Sequence, residues 1–280
     1  MQDHSGSPSA IHDPVLRWYD ANARDLPWRE PGAGAWAVMV SEFMLQQTPV
    51  TRVLPAYRRW LERWPKPVDL AAEAPGEAVR AWDRLGYPRR ALRLHAAAQA
   101  IVERHGGEVP DDHDALLALP GVGTYTAAAI ASFAFGQRHA VVDTNVRRVL
   151  ARALTGVAQP SISPTAADQR LAVSALPADQ TTAARTPRCA DCPIRSRCAW
   201  VLAGSPPYDG PPRRGQTYEG TDRQARGRLL AVLRSASAPV PKSDLDASWP
   251  DAAQRERALD GLVADGLVEP LPRGRYRLPG

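Results

Sequence analysis

Lysine is nearly absent from this chain: two, Lys66 and Lys242, stand against 33 arginines in 280 residues. Cysteine, methionine and phenylalanine number three each. So few cysteines exclude a disulfide-stapled scaffold, and 20 glycines are too few for a collagen-like repeat. No apolar run reaches the roughly 18 residues of a membrane-spanning helix. The opening MQDHSGSPSA has neither the basic start nor the apolar stretch of a secretion signal. The expectation is a cytoplasmic chain that does not engage a membrane. What is present suits a globular protein, since 44% hydrophobic and 23% charged residues suffice for one large domain or two modest ones. The net charge of +5 permits an anionic partner, because Arg forks suit phosphate, and serves equally well as solubilising charge.

From Asp13 to Val157 the pattern is helical. Apolar residues recur three and four apart in Val15–Leu16–Tyr19, Val53–Leu54–Tyr57–Leu61 and Leu92–Leu94–Ala98–Ile101. Gly86, Gly106–Gly107 and Pro120 punctuate these stretches. Pro160, Pro164, Pro177 and Pro187 then interrupt any long helix. Cys189, Cys192 and Cys198 follow, and the Pro- and Gly-rich stretch 204–220 reads as a linker. Beyond it, Leu229, Leu230 and Leu233 mark one amphipathic helix. Ala258, Leu259, Leu262 and Val263 mark another, with Gly266 as its C-terminal cap. Two β-compatible pieces flank Arg273–Gly274. The predicted fold is mainly α: a helical domain over 13–203 including the cysteine loop 189–198, a linker over 204–222, and a small winged-helix-like α+β unit over 223–280. In that last unit an assembly or stability role is as good a reading as groove recognition, because its charges nearly cancel.

Three segments could carry chemistry. In LPGVGTYTAAAI (119–130), Gly121 and Gly123 let one helix turn sharply into the next and present backbone N–H groups at a helix start, where a phosphate is favoured. The pattern is that of a helix-hairpin-helix, and a tight corner between two helices is its structural alternative. AWAVMVSEFML (35–45) is apolar on every side except for Ser41 and Glu42. A carboxyl buried there is desolvated, which favours the protonated form a general acid needs; a Glu paired with an Arg is the other reading. In HAVVDTNVRRVLAR (139–152), Asp143 is placed either to cap the helix that follows or to offer a carboxylate at its mouth. Two carboxyls in unlike environments are what glycosidic-bond cleavage uses. Arg84, Arg89, Arg90 and Arg93 surround Tyr87, and Arg147, Arg148 and Arg152 line the helix after Asp143. Such a pattern suits a backbone-tracking surface with a stacking wedge and equally suits solvated helix faces.

Taken together, LPWR (26–29), SEFMLQQT (41–48), RLGYPRRALRLH (84–95), LPGVGTYTAAAI and VVDTNVRRVLAR (141–152) resemble, in order, the motifs of the helix-hairpin-helix–Gly/Pro–Asp DNA glycosylases. The likeness spans Asp13 to Thr155 and leaves the C-terminal unit outside it. LPWR followed by SEFMLQQT is most similar to the branch that removes adenine mispaired with guanine or 8-oxoguanine. The resemblance implies a base excision repair enzyme: a monomer acting on mismatched double-stranded DNA, nucleoid-associated if the source is bacterial. It implies that Glu42 protonates the adenine ring nitrogen and that Asp143 stabilises or captures the C1′ cation, assisted by Tyr125 and Asn145. Arg24, Leu26 and Trp28 would line the base pocket. Gln46, Gln47 and Tyr87 would fill the space left by the flipped base, Thr48 would bind the DNA beside them, and Gly121 and Gly123 would meet the DNA backbone.

Tyr125 stands where strand-cleaving relatives carry an imine-forming lysine, so the implied reaction is hydrolysis without strand scission. Thymine-mismatch glycosylases share the Tyr and Asp positions. Removal of thymine is therefore a second reading, and a catalytically impaired DNA-binding relative a third. The family binds a [4Fe–4S] cluster through C-x6-C-x2-C-x5-C. Here Cys189, Cys192 and Cys198 supply the last three positions and Thr182 occupies the first. The expectation is a labile cluster with one iron left open. The stretch between Asp143 and Cys189 is also shorter than in the family, and the helix that precedes its first cysteine is missing. The C-terminal unit is too small for the Nudix-like domain that many relatives carry.

Overall fold

A computed structural model describes residues 8–176, 189, 191–210 and 217–280. Among them the elements run α1 (His12–Asn22), α2 (Ala35–Leu45), α3 (Val50–Arg63), α4 (Pro67–Ala71), α5 (Pro75–Trp82), α6 (Arg89–His105), α7 (His113–Leu117), α8 (Thr124–Phe135), α9 (Thr144–Thr155), α10 (Ala166–Ser174) and α11 (Ala199–Leu202). Then come α12 (Asp222–Ser235), β1 (Val240–Pro241), α13 (Lys242–Asp246), α14 (Ala252–Ala264), β2 (Glu269–Leu271) and β3 (Arg275–Arg277). The expected mainly helical fold is what forms. None of the described helices is long and apolar enough to cross a membrane. The chain gathers into two compact units, one made of Met1–Val38, Asp111–Leu117 and Val122–Pro212, the other of Met39–Pro110, Ala118–Gly121 and Arg213–Gly280.

The second unit is built around tryptophans. On α3, Val53, Tyr57 and Trp60 are spaced to share one face and all are buried. Trp60 packs edge-to-face on Trp64 at 4.7 Å and on Trp82 of α5 at 5.6 Å. Helix α6 buries Arg90, Leu94, Ala97, Ala98 and Ile101 along one stripe and ends at Gly106, whose φ of 63° provides the left-handed cap. The C-terminal elements belong to this same unit. There β1, β3 and β2 form an antiparallel sheet in that order, with Val240 opposite Tyr276 and Glu269 opposite Arg277. Arg273 (φ 63°) and Gly274 (φ 62°) turn the hairpin between β2 and β3.

These C-terminal elements are closely seated on α5. The N–H of Gly76 donates to Pro279 O at 2.7 Å. A Cβ at Gly76 would lie 2.4 Å from that oxygen, so only glycine admits the chain this close. Arg234 Nε donates to Val79 O at 3.0 Å, while Arg80 donates to the carbonyls of Arg234 and Ala236.

In the first unit, α8 is an alanine-rich helix buried from Thr126 to Ser132 and ended by Gly136 (φ 66°). Helix α9 packs Leu150, Ala153 and Leu154 with Ile11, Ala172 and Ile194. Helix α10 fits between the prolines that punctuate its segment, and the capping box of Thr165 with Asp168 starts it.

Candidate active site

The expected site residues fall in both units. In the second, Glu42 sits on α2, a helix apolar on all sides, and is 3% exposed. Helix α2 ends at Leu45, and the turn after it carries Gln46, Gln47 and Thr48. Gln47 is exposed and adopts φ 56°. Tyr87, 48% exposed, likewise adopts a positive φ of 47° in the turn between α5 and α6. Residues other than glycine rarely occupy this region, least of all bulky ones. Gly121, at φ 79°, is a place where glycine is obligatory, since a Cβ would fall 2.6 Å from Arg93 Cβ and 3.1 Å from Phe43 Cε1.

The basic surface expected around Tyr87 needs correcting. Arg84, Arg89 and Arg93 are exposed, but Arg90 is 6% exposed and bonds inward to backbone carbonyls of both turns. The sequence held a signal for this: Arg90 occupies the apolar stripe of α6, four residues before Leu94 and seven before Ala97.

In the first unit Asp143 is the N-cap of α9. Its Oδ1 accepts from the N–H groups of Asn145 (2.8 Å) and Val146 (2.6 Å), and its Oδ2 accepts from Asn145 Nδ2 at 3.2 Å. The capping alternative is therefore realised, and Asn145 is in direct contact with the carboxylate. Tyr125 is half-buried on the first turn of α8. Gly123 precedes it in extended geometry (φ −100°, ψ 177°), and a Cβ there would meet nothing. Leu26 and Trp28 are buried, whereas Arg24 is exposed. Arg147 also corrects the expected basic face of α9. It is 4% exposed and donates to Ser161 O, Ser163 O and Asp168 Oδ2 at 2.8–2.9 Å, tying the 161–168 segment to α9.

The cysteine loop is held by protein contacts. Ile194 and Cys192 pack with the α9 core, and Arg152 lies over the Trp200 ring at 5.2 Å. Arg152 also donates to Ala158 O (2.8 Å) and approaches Cys189 Sγ at 3.8 Å. Burial pushes the Cys192 thiol up, and the neighbouring Cys189 and Cys198 push it the same way. Among the described residues no three His, Cys, Asp or Glu side chains converge as a metal-ligand set. Thr182 lies outside the described residues. Cys189, Cys192 and Cys198 thus offer three of the four thiolates that a [4Fe–4S] cluster takes, one fewer than a full ligand set.

Residues 40–172 match the HhH-GPD superfamily of base excision DNA repair proteins. The chain is 51% identical to the adenine DNA glycosylase of Mycobacterium tuberculosis, with 95% of this chain and 92% of that one aligned. Among solved structures, a thermostable thymine-DNA glycosylase is similar at TM-score 0.62 and 25% identity, covering 70% of this chain and 97% of its own. A non-covalent endonuclease III–DNA complex shares the fold at TM-score 0.56 and 21% identity, covering 70% and 98%.

Proposed function

The chain belongs to the adenine DNA glycosylases of the HhH-GPD superfamily, and on that premise we propose that it hydrolyses the N-glycosidic bond of adenine mispaired with guanine or 8-oxoguanine in double-stranded DNA. The observation that carries this reading is the carboxyl of Glu42, 3% exposed on an apolar helix. A carboxyl so placed is a proton donor for the leaving adenine. Asp143 supplies the opposite charge. Capping α9 commits its Oδ1 to two backbone N–H groups, whereas Oδ2, which among the described residues accepts only the longer bond from Asn145, is the oxygen we assign to the developing C1′ cation. Tyr125 has no amine and forms no imine, so the abasic product is released with its strand intact. Leu26 and Trp28 form the apolar wall of the base pocket, with Arg24 at its rim. Nothing inside the described protein requires glycine at position 123. This supports a DNA phosphate approaching the N-terminus of α8.

The chain acts as a cytoplasmic monomer, with residues 13–203 as the glycosylase domain and 223–280 as a winged-helix-like domain. No chemical step is assigned to a cluster. Single-turnover assays on duplexes carrying A:8-oxoguanine, A:G and T:G test the proposal, with adenine expected to leave from the first two. Excision of thymine alone would favour the second reading, which the likeness to a thymine-DNA glycosylase supports. Tight binding without excision would favour an impaired relative.

A further inference from the structure

Arg90 begins α6 and reaches two separate turns. Its Nη1 donates to Phe43 O (2.7 Å), Met44 O (3.2 Å) and Gln46 O (2.6 Å), carbonyls at the end of α2 that the helix itself leaves unpaired. A cation is favoured there by the helix dipole as well. Its Nη2 donates to Thr48 Oγ1 and to Gly86 O, both at 3.1 Å. The Thr48 hydroxyl donates in turn to Leu85 O at 3.1 Å. One network thus joins the turn carrying Gln46–Thr48 to the turn carrying Leu85–Tyr87.

The guanidinium also lies 5.3 Å from the Trp82 ring centroid and 5.4 Å from that of Tyr87. Both turns contain an exposed residue held at positive φ, Gln47 in one and Tyr87 in the other. A backbone of that kind persists only where its surroundings impose it.

We propose that Arg90 is a positioning residue for base extrusion: it pre-forms both turns, so that Gln47 and Tyr87 are in place as a wedge before the adenine leaves the stack. This rests on the wedge role proposed for those two residues. Arginine is specified because one planar fork serves five acceptors and stacks on two rings, which the point charge of a lysine cannot do. Burial lowers the pKa of Arg90 to about 10, and its buried Nε has no partner among the described residues, so the group sits there despite a desolvation cost.

The test uses Arg90→Lys in the full chain, with Thr48→Val as a companion that removes one arm of the fork while keeping the arginine. Extrusion is followed by the fluorescence of a base analogue beside the target adenine. Excision is timed on a fully paired duplex and on one whose adenine is already unpaired in a bulge. Arg90→Lys is expected to slow extrusion and paired-duplex excision by about tenfold or more, with the bulged substrate changed by no more than about threefold. Thr48→Val is expected to show the same selectivity at smaller size. In a background carrying both Tyr87→Ala and Gln47→Ala, Arg90→Lys should add nothing further. Equal slowing on both substrates, additivity with the combined Tyr87→Ala and Gln47→Ala, or normal extrusion beside a slow Tyr87→Ala would overturn the proposal. Normal extrusion by both Tyr87→Ala and Gln47→Ala would instead sink the wedge reading on which it rests.

Discussion

Asp143 caps α9 with the same carboxylate that the proposed mechanism uses, and the two roles can be separated. Asparagine is as good an N-cap as aspartate, whereas alanine forfeits about 1 kcal/mol of cap. Asp143→Asn should therefore melt within a degree or two of wild type by circular dichroism, yet lose about 10²–10³ in single-turnover excision, because the C1′ cation has no counter-charge. Asp143→Ala should lose both. An asparagine variant that excises adenine within a few-fold of wild type would end the electrostatic role. For Glu42→Gln the shape of the side chain survives and the dissociable proton does not. Excision is expected to fall by about 10²–10⁴ while mismatch binding, measured by anisotropy, persists.

Helix α9 shows what the apolar spacing revealed and what it concealed. Periodicity located α3, α6 and α9 because a buried stripe writes itself in Val, Leu and Ala. Arg90 and Arg147 stand in those stripes, which marks them for burial, but the carbonyls they bond lie on other segments and are not given by spacing. Strand β1 was illegible for another reason: Val240 and Pro241 are a strand only by pairing with Tyr276 and Arg275 far along the chain. Of the candidate site, the sequence nominates Glu42, Asp143 and Tyr125 by residue type, but not the turns that hold Gln47 and Tyr87 at positive φ. Burial opposes ionisation of Asp168, but hydrogen bonds from Thr165 and Arg147 outweigh it and hold the carboxyl below its usual range. A depressed folded pKa gives stability that is full above the unfolded value, near 3.9, and is lost as pH falls through the folded one. The acid-side decline in melting temperature should therefore be shallower in Asp168→Asn, and an unchanged slope would count against the pairing. The cysteine loop is anchored by Ile194, Arg152 and Trp200, so Cys189→Ser, Cys192→Ser and Cys198→Ser combined should bind duplex DNA like wild type. Iron and sulfide counts after anaerobic reconstitution should fall short of four irons per chain. Four tightly held irons would show that a further ligand completes a cluster.

At the scale of the whole molecule, composition marks a linker before α12, yet the elements beyond it share a compact unit with α3 to α6. The seam is specific. Gly76 receives the carbonyl of Pro279, and Arg234 is buried deeply enough that its pKa falls to about 10 while it donates to Val79 O. Asp265, just past α14, pairs with Arg89 at 3.2 Å, next to the turn that carries Tyr87. A module attached in this way should unfold with the helices it rests on, not ahead of them, because separating it would expose the Gly76–Val79 face and leave Arg234 without its acceptor. Gly76→Val tests the coupling. Its side chain would meet Pro279 O and Leu278 at distances no real contact tolerates, which should cost roughly 1–3 kcal/mol. Hydrogen exchange should then show amides of α5 and α6 losing protection together with those of α12 and α14. Loss confined to α12, α14 and the sheet, with α5 and α6 unchanged, would mean that the C-terminal elements form an independent domain that merely leans on α5.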